Sequence, residues 1–260
     1  NLQNVHDVLK ALELQSGERN IIKYMVKTEV VTVSAPRFFA DVRQRSLALQ
    51  QLGLAGNHIG IIGKNTYDWM VSFCAVLNIG AVAVLLSQEE RSAEIAEIAD
   101  DTDLNAILYD PEMEGVVCQA KLQGDIHRLP MQIGYNAADP IQETQNRHRT
   151  GLNDLACILF TSGTTAKRKA VMLSNRSLIA GMCYDDIGYQ FEAQLAVLPF
   201  HHLEGFSSAL NTLCLGATLC IGENLKYIYR YLESMKPDYL FAVPSLLHII
   251  VRKLKQADTY

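Results

Sequence analysis

A chain of 260 residues with 49 % apolar content is long and apolar enough for one large core or two subdomains, which excludes a disordered chain. Its net charge of −5, from 23 basic and 28 acidic residues, argues against a generic nucleic-acid binder. Six cysteines (Cys74, Cys118, Cys157, Cys183, Cys214, Cys220) form no Cys-x-x-Cys pair and mostly stand in apolar runs, so they read as reduced, buried thiols of a cytoplasmic protein, not as a disulfide frame or zinc site.

The first residues do not read as a signal peptide, and none is expected. Residues 5–14 read as a helix, and 20–26 and 29–33 as two short strands with a turn between. Ser34 is placed to cap a helix running to Leu52, with Pro36 in its first turn and Gly53 as its stop. A repeated unit follows: strand 58–62, helix 67–79, strand 81–86, helix 92–100, strand 104–109 and helix 113–122. Strands alternating with helices imply parallel βαβ units. Residues 69–87 carry no charge, but Asn78 and Gly80 interrupt them and the second half is rich in valine. Helix, turn and buried strand fit this stretch, and no transmembrane segment is expected. The glycines between Gly56 and Gly63 do not form Gly-x-Gly-x-x-Gly, so a dinucleotide fingerprint is rejected. Residues 125–153 are polar and weakly periodic, as in a surface linker with one short strand near Met131.

The chain then reaches the stretch on which the functional reading turns. An apolar run at 155–160 reads as a buried strand. It stops at Thr161, Ser162, Gly163, Thr164 and Thr165; then come Ala166, the cations Lys167, Arg168 and Lys169, and a second apolar run at 171–173. Hydroxyls and backbone N–H groups donate to phosphate oxygens, Gly163 has conformational freedom, and lysine adds charge. A loop leaving the carboxyl end of a buried strand is also where open α/β sheets place ligands. On composition alone a plain turn and a solvated basic patch fit as well. A Walker loop does not, because Arg168 stands where its second glycine belongs.

Beyond the loop, Ser174 is placed to cap a helix at 176–184, and Asn175-Arg176-Ser177 is a formal glycosylation triplet without meaning in a cytoplasmic protein. The alternation resumes with strand 193–198, helix 206–215, strand 217–221, helix 225–235, strand 239–243 and helix 245–255. The fold class expected is α/β: two similar, doubly wound, mostly parallel sheets packed with helices, one on each side of the linker and loop. Gly-x-Ser-x-Gly is absent, which disfavours a serine hydrolase. No third histidine or cysteine stands at ligand spacing from His201 and His202, which disfavours a metal site there.

The order of residues from Thr161 to Val171 resembles the phosphate-binding signature of AMP-forming acyl-adenylate synthetases, Thr-Ser-Gly-Thr-Thr-Gly-x-Pro-Lys-Gly-Val. Thr161, Ser162, Gly163, Thr164, Thr165, Lys169 and Val171 match, while Ala166, Arg168 and Ala170 replace Gly, Pro and Gly. The two alanines are similar to those of bacterial members resembling long-chain fatty-acid–CoA ligases. Gly60-Ile61-Ile62, Asn65, Asp68-Trp69 and the run from Gly80 to Leu86 resemble a second family region. The segment from Pro199 to Phe206 resembles the family's Pro-x-x-His-x-x-Gly, which lines the acid pocket, and on that spacing His202 rather than His201 matches. The strand and Val-Pro turn from Pro237 to Pro244 also resemble the family, though a structural role explains them as well.

The resemblance, which spans most of the chain, implies the N-terminal large domain of adenylate-forming enzymes, truncated, with subdomains 34–190 and 1–33 plus 191–260 facing each other across a crevice. It implies ATP phosphates held by Thr161, Ser162, Gly163, Thr164, Thr165 and Ala166, with Lys169 as counter-charge and Thr161 touching Mg²⁺. It implies an acyl pocket at His202, Gly205 and Phe206. The implied activity is ATP-dependent conversion of a carboxylic acid, a fatty acid first of all, to acyl-AMP, then thioester formation with coenzyme A. Aryl or medium-chain acids, a carrier-protein acceptor, or a non-catalytic nucleotide-binding protein of the same fold are the alternatives. The groups that complete catalysis, and the C-terminal domain, are expected beyond residue 260, so the 260-residue piece is expected to fold and turn nothing over. The loop 161–170 is expected to be mobile, with Arg168 in place of a stiffening proline.

Overall fold

A computed structural model describes residues 2–132, 148–161, 168–184 and 190–257. In chain order the elements are α1 (Val5–Ser16), β1 (Asn20–Val26), β2 (Glu29–Ser34), α2 (Ala35–Gln51), β3 (His58–Ile62), α3 (Tyr67–Asn78), β4 (Val82–Leu86), α4 (Ser92–Asp101) and β5 (Leu104–Tyr109). They continue through a 3-10 turn at Pro111–Met113, α5 (Glu114–Gln119), β6 (His127–Pro130), β7 (Leu155–Thr161), β8 (Lys169–Ser174), α6 (Asn175–Met182), β9 (Ala193–Ala196) and α7 (Leu203–Cys214). The last are β10 (Thr218–Ile221), a 3-10 turn at Leu225–Tyr227, α8 (Ile228–Met235), β11 (Tyr239–Leu240) and α9 (Pro244–Ala257).

Two sheets result. One has the order β11-β9-β10-β1-β2, the other β6-β5-β3-β4-β7-β8. Every pair is parallel except the β1–β2 and β7–β8 hairpins. Parallel strands are buried on both faces, so they read as unbroken apolar runs. β4 shows how the faces divide. Ala83 and Leu85 enter the core between the sheets, while Val82, Val84 and Leu86 join an outer cluster under α4 and α5. The five-stranded sheet has an outer cluster too, where Leu195, Val197 and Cys220 meet Ile228, Tyr231 and Met235 of α8.

Helix α3 fills the middle. The Thr66 hydroxyl caps it by accepting from the Trp69 N–H at 3.1 Å. Every residue from Trp69 to Asn78 is buried, because α1 and α2 cover it on one side and strands on another. Trp69 packs on Phe200 with ring centroids 5.2 Å apart, and Phe73 on Phe206 at 5.1 Å. Each such side chain contributes about 1.5–3 kcal/mol by leaving water. The uncharged stretch 69–87 is thus a core helix followed by a core strand. No described helix is long and apolar enough to cross a membrane.

Several details depart from the sequence reading. Ser34 takes the extended backbone of an N-cap, but its side chain makes no capping bond. Helix 113–122 shortens to α5, losing Met113 to a 3-10 turn and residues 120–122 where Ala120 turns to extended backbone. Strand 239–243 shrinks to Tyr239 and Leu240, which pair with Gln194 and Leu195 before Pro244 starts α9. Helix α7 begins at Leu203, not 206. Only Cys74, Cys157 and Cys220 are buried; Cys118 and Cys183 are exposed, and Cys214 is intermediate.

Candidate active site

The glycine- and hydroxyl-rich stretch closes a β-hairpin. Strands β7 and β8 pair antiparallel, with Leu159 opposite Val171 and Thr161 opposite Lys169. Thr161 therefore ends one strand where Lys169 begins the other, on the outermost pair of the six-stranded sheet. Ser162, Gly163, Thr164, Thr165 and Ala166 lie outside the described residues, and so does most of the loop expected to be mobile. Lys169 is exposed and makes no salt bridge among the described residues.

Arg168, the residue in the proline position, is anchored. Its guanidinium bridges Glu90, which is nearly buried, and Glu94 at 3.4 Å. Desolvation raises the Glu90 carboxyl above the usual range, against the pull of Arg168. Glu94 is held down to about 2, first by the side chain of Arg91 and then by its backbone N–H. The hairpin's return strand is thus tied electrostatically to the start of α4.

The Pro199–Phe206 segment is held differently. Asn65, at the carboxyl end of β3, donates to Leu198 O at 2.8 Å and accepts from the Phe200 N–H at 2.8 Å. A side chain from one sheet thereby fixes the loop leaving the other. The chain turns at once, with the His202 N–H donating to Pro199 O at 3.0 Å. The extension on which side-chain alternation depends does not continue, and the His201 and His202 rings lie side by side, 4.1 Å apart. Burial and the neighbouring His202 ring push His201 down to about 4, so it is neutral at pH 7. His202 is exposed.

Gly205 has a steric reason: a Cβ there would stand 2.0 Å from Pro199 O. Phe206 is fully buried against Phe73.

A cavity of about 1140 Å³ opens where strands of both sheets end, lined among others by Asn65, Tyr67, Asp110, Glu112 and Glu223. Lys64 spans its rim, reaching Glu112 at 2.5 Å and Glu223 at 3.4 Å, and these carboxylates raise its pKa. Neither histidine nor Lys169 lines it. Sequence reasoning missed these acids. The signal available was their position, each just past the carboxyl end of a parallel strand. No group of three His, Cys, Asp or Glu able to hold a metal exists among the described residues. One hydroxyl at Thr161, set opposite a lysine, does not make a Mg²⁺ site by itself.

Comparison with known proteins follows the same lines. A family model described as AMP-binding enzyme matches residues 14–260. The fatty acid–[acyl-carrier-protein] ligase MmaC of Mycobacterium marinum is 28 % identical over 241 residues, covering 85 % of this chain and 44 % of its own length. The long-chain-fatty-acid–CoA ligase FadD15 of Mycobacterium tuberculosis is 22 % identical over 277 residues, covering 96 % and 46 %. The chain thus spans less than half the length of these curated relatives. Among solved structures, the inhibitor-bound N-terminal domain of FACL13 from Mycobacterium tuberculosis superposes with a TM-score of 0.81 at 20 % identity, over 95 % of this chain and 65 % of that one.

Proposed function

The chain belongs to the AMP-binding enzyme family, and from that premise we propose that it is the phosphate-gripping part of a ligase that activates a fatty acid through its adenylate. That the family forms acyl adenylates follows from its fatty-acid-ligase and peptide-synthetase members. The hairpin carries the finer reading. It places Lys169, which makes no salt bridge among the described residues, directly across from Thr161 at the mouth of a hydroxyl-rich loop. Arg168, though adjacent, is occupied by Glu90 and Glu94, which leaves Lys169 to meet phosphate.

In the proposed reaction a carboxylate oxygen attacks the α-phosphorus of ATP, and pyrophosphate leaves with the bonding pair. Lys169 and the loop hydroxyls at 161–165 hold the β- and γ-phosphates and take up the charge that develops there. A thiol sulfur then attacks the acyl carbon and AMP leaves. Coenzyme A is the proposed acceptor. A carrier protein is the second reading, favoured by the 28 % identity to a carrier-protein ligase. Residues His202, Gly205 and Phe206 are proposed to shape the acid side, Gly205 by letting α7 start against Pro199 and Phe206 by backing the wall from the core. Subdomains 34–190 and 1–33 plus 191–260 are also proposed; the strand membership of the two sheets supports them.

The deciding assay is acid-dependent pyrophosphate release by the full-length enzyme with ATP, Mg²⁺ and a panel of fatty and aryl acids, followed by coenzyme A or a carrier protein as trap. Release with fatty acids that requires Lys169 supports the reading. Release that is indifferent to Lys169→Ala removes the hairpin from the mechanism.

A further inference from the structure

Two of the cysteines outside the core meet. Cys183 caps the end of α6 and Cys214 closes α7, and their sulfurs stand 3.6 Å apart. The approach is built into the helix packing. Asn211, one turn before Cys214 on α7, donates to Met182 O at 3.1 Å and to Tyr184 O at 2.8 Å, so it grips the backbone on both sides of Cys183. Cys183 is exposed while Cys214 is partly covered, the arrangement of an attacking and a resolving thiol.

We propose that Cys183 and Cys214 are a redox modification site, joined reversibly by a disulfide when the protein meets a peroxide. The Cys183 thiolate attacks one peroxide oxygen, breaking the O–O bond and becoming a sulfenic acid; the other oxygen leaves and, with a proton, forms water. The Cys214 sulfur then attacks the Cys183 sulfur, giving up its proton, and the sulfenic oxygen departs with that proton as a second water. Two thiols lose two electrons and two protons in all, and hydrogen peroxide accepts them. A dithiol or glutathione reverses the bond by exchange. The Cys214 hydrogen bond holds the Cys183 thiol down to about 7, which supplies thiolate at neutral pH, while the Cys214 thiol is pushed up. Sulfurs in van der Waals contact need to approach by about 1.5 Å to reach bonding distance. The bond would tie α6, which continues directly from β8 of the phosphate hairpin, to α7, which continues from the Pro199 turn.

The full chain, treated with hydrogen peroxide, alkylated and digested, tests this. The expected result is a Cys183–Cys214 linked peptide, a loss of two from the six titratable thiols, and recovery of both with dithiothreitol. Cys183→Ser and Cys214→Ser should each abolish the linked peptide, with unchanged circular dichroism. Backbone amides of α6 should exchange more slowly in the oxidised wild type and not in either variant. Cys118, exposed and unpaired in this scheme, serves as internal reference. A linked peptide that contains Cys118, a disulfide between two chains, or Cys183 going to sulfinic acid without a link would overturn the proposal. If a variant loses its circular dichroism, the linked peptide and its reversal in the wild type decide alone.

Discussion

Arg168 and Asn65 both tie a loop of the candidate site to a distant part of the chain, and they do it by different physics. Arg168 works at a sheet edge, over a third exposed, with one carboxylate just before α4 and one in its first turn. Asn65 works in the core, 7 % exposed, with an oxygen and a nitrogen each committed to backbone. Arg168 is solvated and screened, and Glu90, already pushed up by desolvation, can take a proton when its partner is lost, so the pairs contribute up to about 1 kcal/mol. A buried amide that satisfies one buried and one half-buried backbone group leaves them stranded when removed, at about 1–3 kcal/mol for the buried one. The turn at Pro199, proposed to face the acid, is therefore a rigid fixture, whereas the hairpin end proposed to meet phosphate is tied by charges that trade cheaply. A site proposed to admit and release a polyanion suits this division.

The largest test of that contrast is Gly205→Ala. Its methyl would meet the Pro199 carbonyl at 2.0 Å, and neither partner is a flexible side chain. A loss of about 3 kcal/mol is expected in chemical denaturation, and a change below about 0.5 kcal/mol would show that the turn yields. Asn65→Ala should cost about 2–3 kcal/mol in the same measurement while leaving the hairpin's charge pairs intact.

His201 supplies a pH test of the buried turn. The folded protein holds it neutral down to about pH 4, against 6.5 for an ordinary imidazole. As pH falls, the unfolded chain takes up the proton first. The contribution is complete above about 6.5 and is lost between 6.5 and 4, on the order of 2–3 kcal/mol. His201→Gln should flatten that part of the stability profile; an unchanged slope would place the titration elsewhere.

On the phosphate side the effects shift from stability to turnover. Lys169→Ala should reduce kcat/KM for ATP in the full-length enzyme by roughly tenfold to a hundredfold, the loss of one charge-assisted bond, with melting unaffected. Arg168→Ala is the smallest, about 1 kcal/mol of stability, and its effect should shrink as salt rises. If Arg168→Ala destabilised more than Asn65→Ala, the division between a fixed and a steered side would be reversed.

Local pattern made β3, β4 and β5 legible, because strands buried on both faces are unbroken apolar runs with turns at each end. The hairpin motif was legible as a string, and its match in order gave the family. The antiparallel return of β8 was not, since Val171 and Met172 face out at an edge and show no alternation. Position 168 was read as a loosened proline site because Glu90 and Glu94 lie far away in sequence, and only the β4–β7 pairing brings them near. Strand alternation would point the neighbouring His201 and His202 rings opposite ways, but the His202 N–H bond to Pro199 O ends the strand geometry before that rule applies. The rim acids Glu112 and Glu223 follow strands of different sheets, and nothing local to either one announces Lys64 between them.

The parallel pairing of β1 with β10 sets Ile22 beside Leu219, so the second strand to form a sheet partner for the amino terminus is among the last made. A ribosome adding about 5–20 residues per second leaves β1 waiting about 10–40 s for β10 to emerge. During that interval the β1–β2 hairpin exposes the edge that β10 will cover, and α3, already complete, lacks one of its walls. The nascent chain passes through a stage in which its most apolar helix is half dressed. That stage is when it has most to gain from a chaperone and most to lose by meeting another copy.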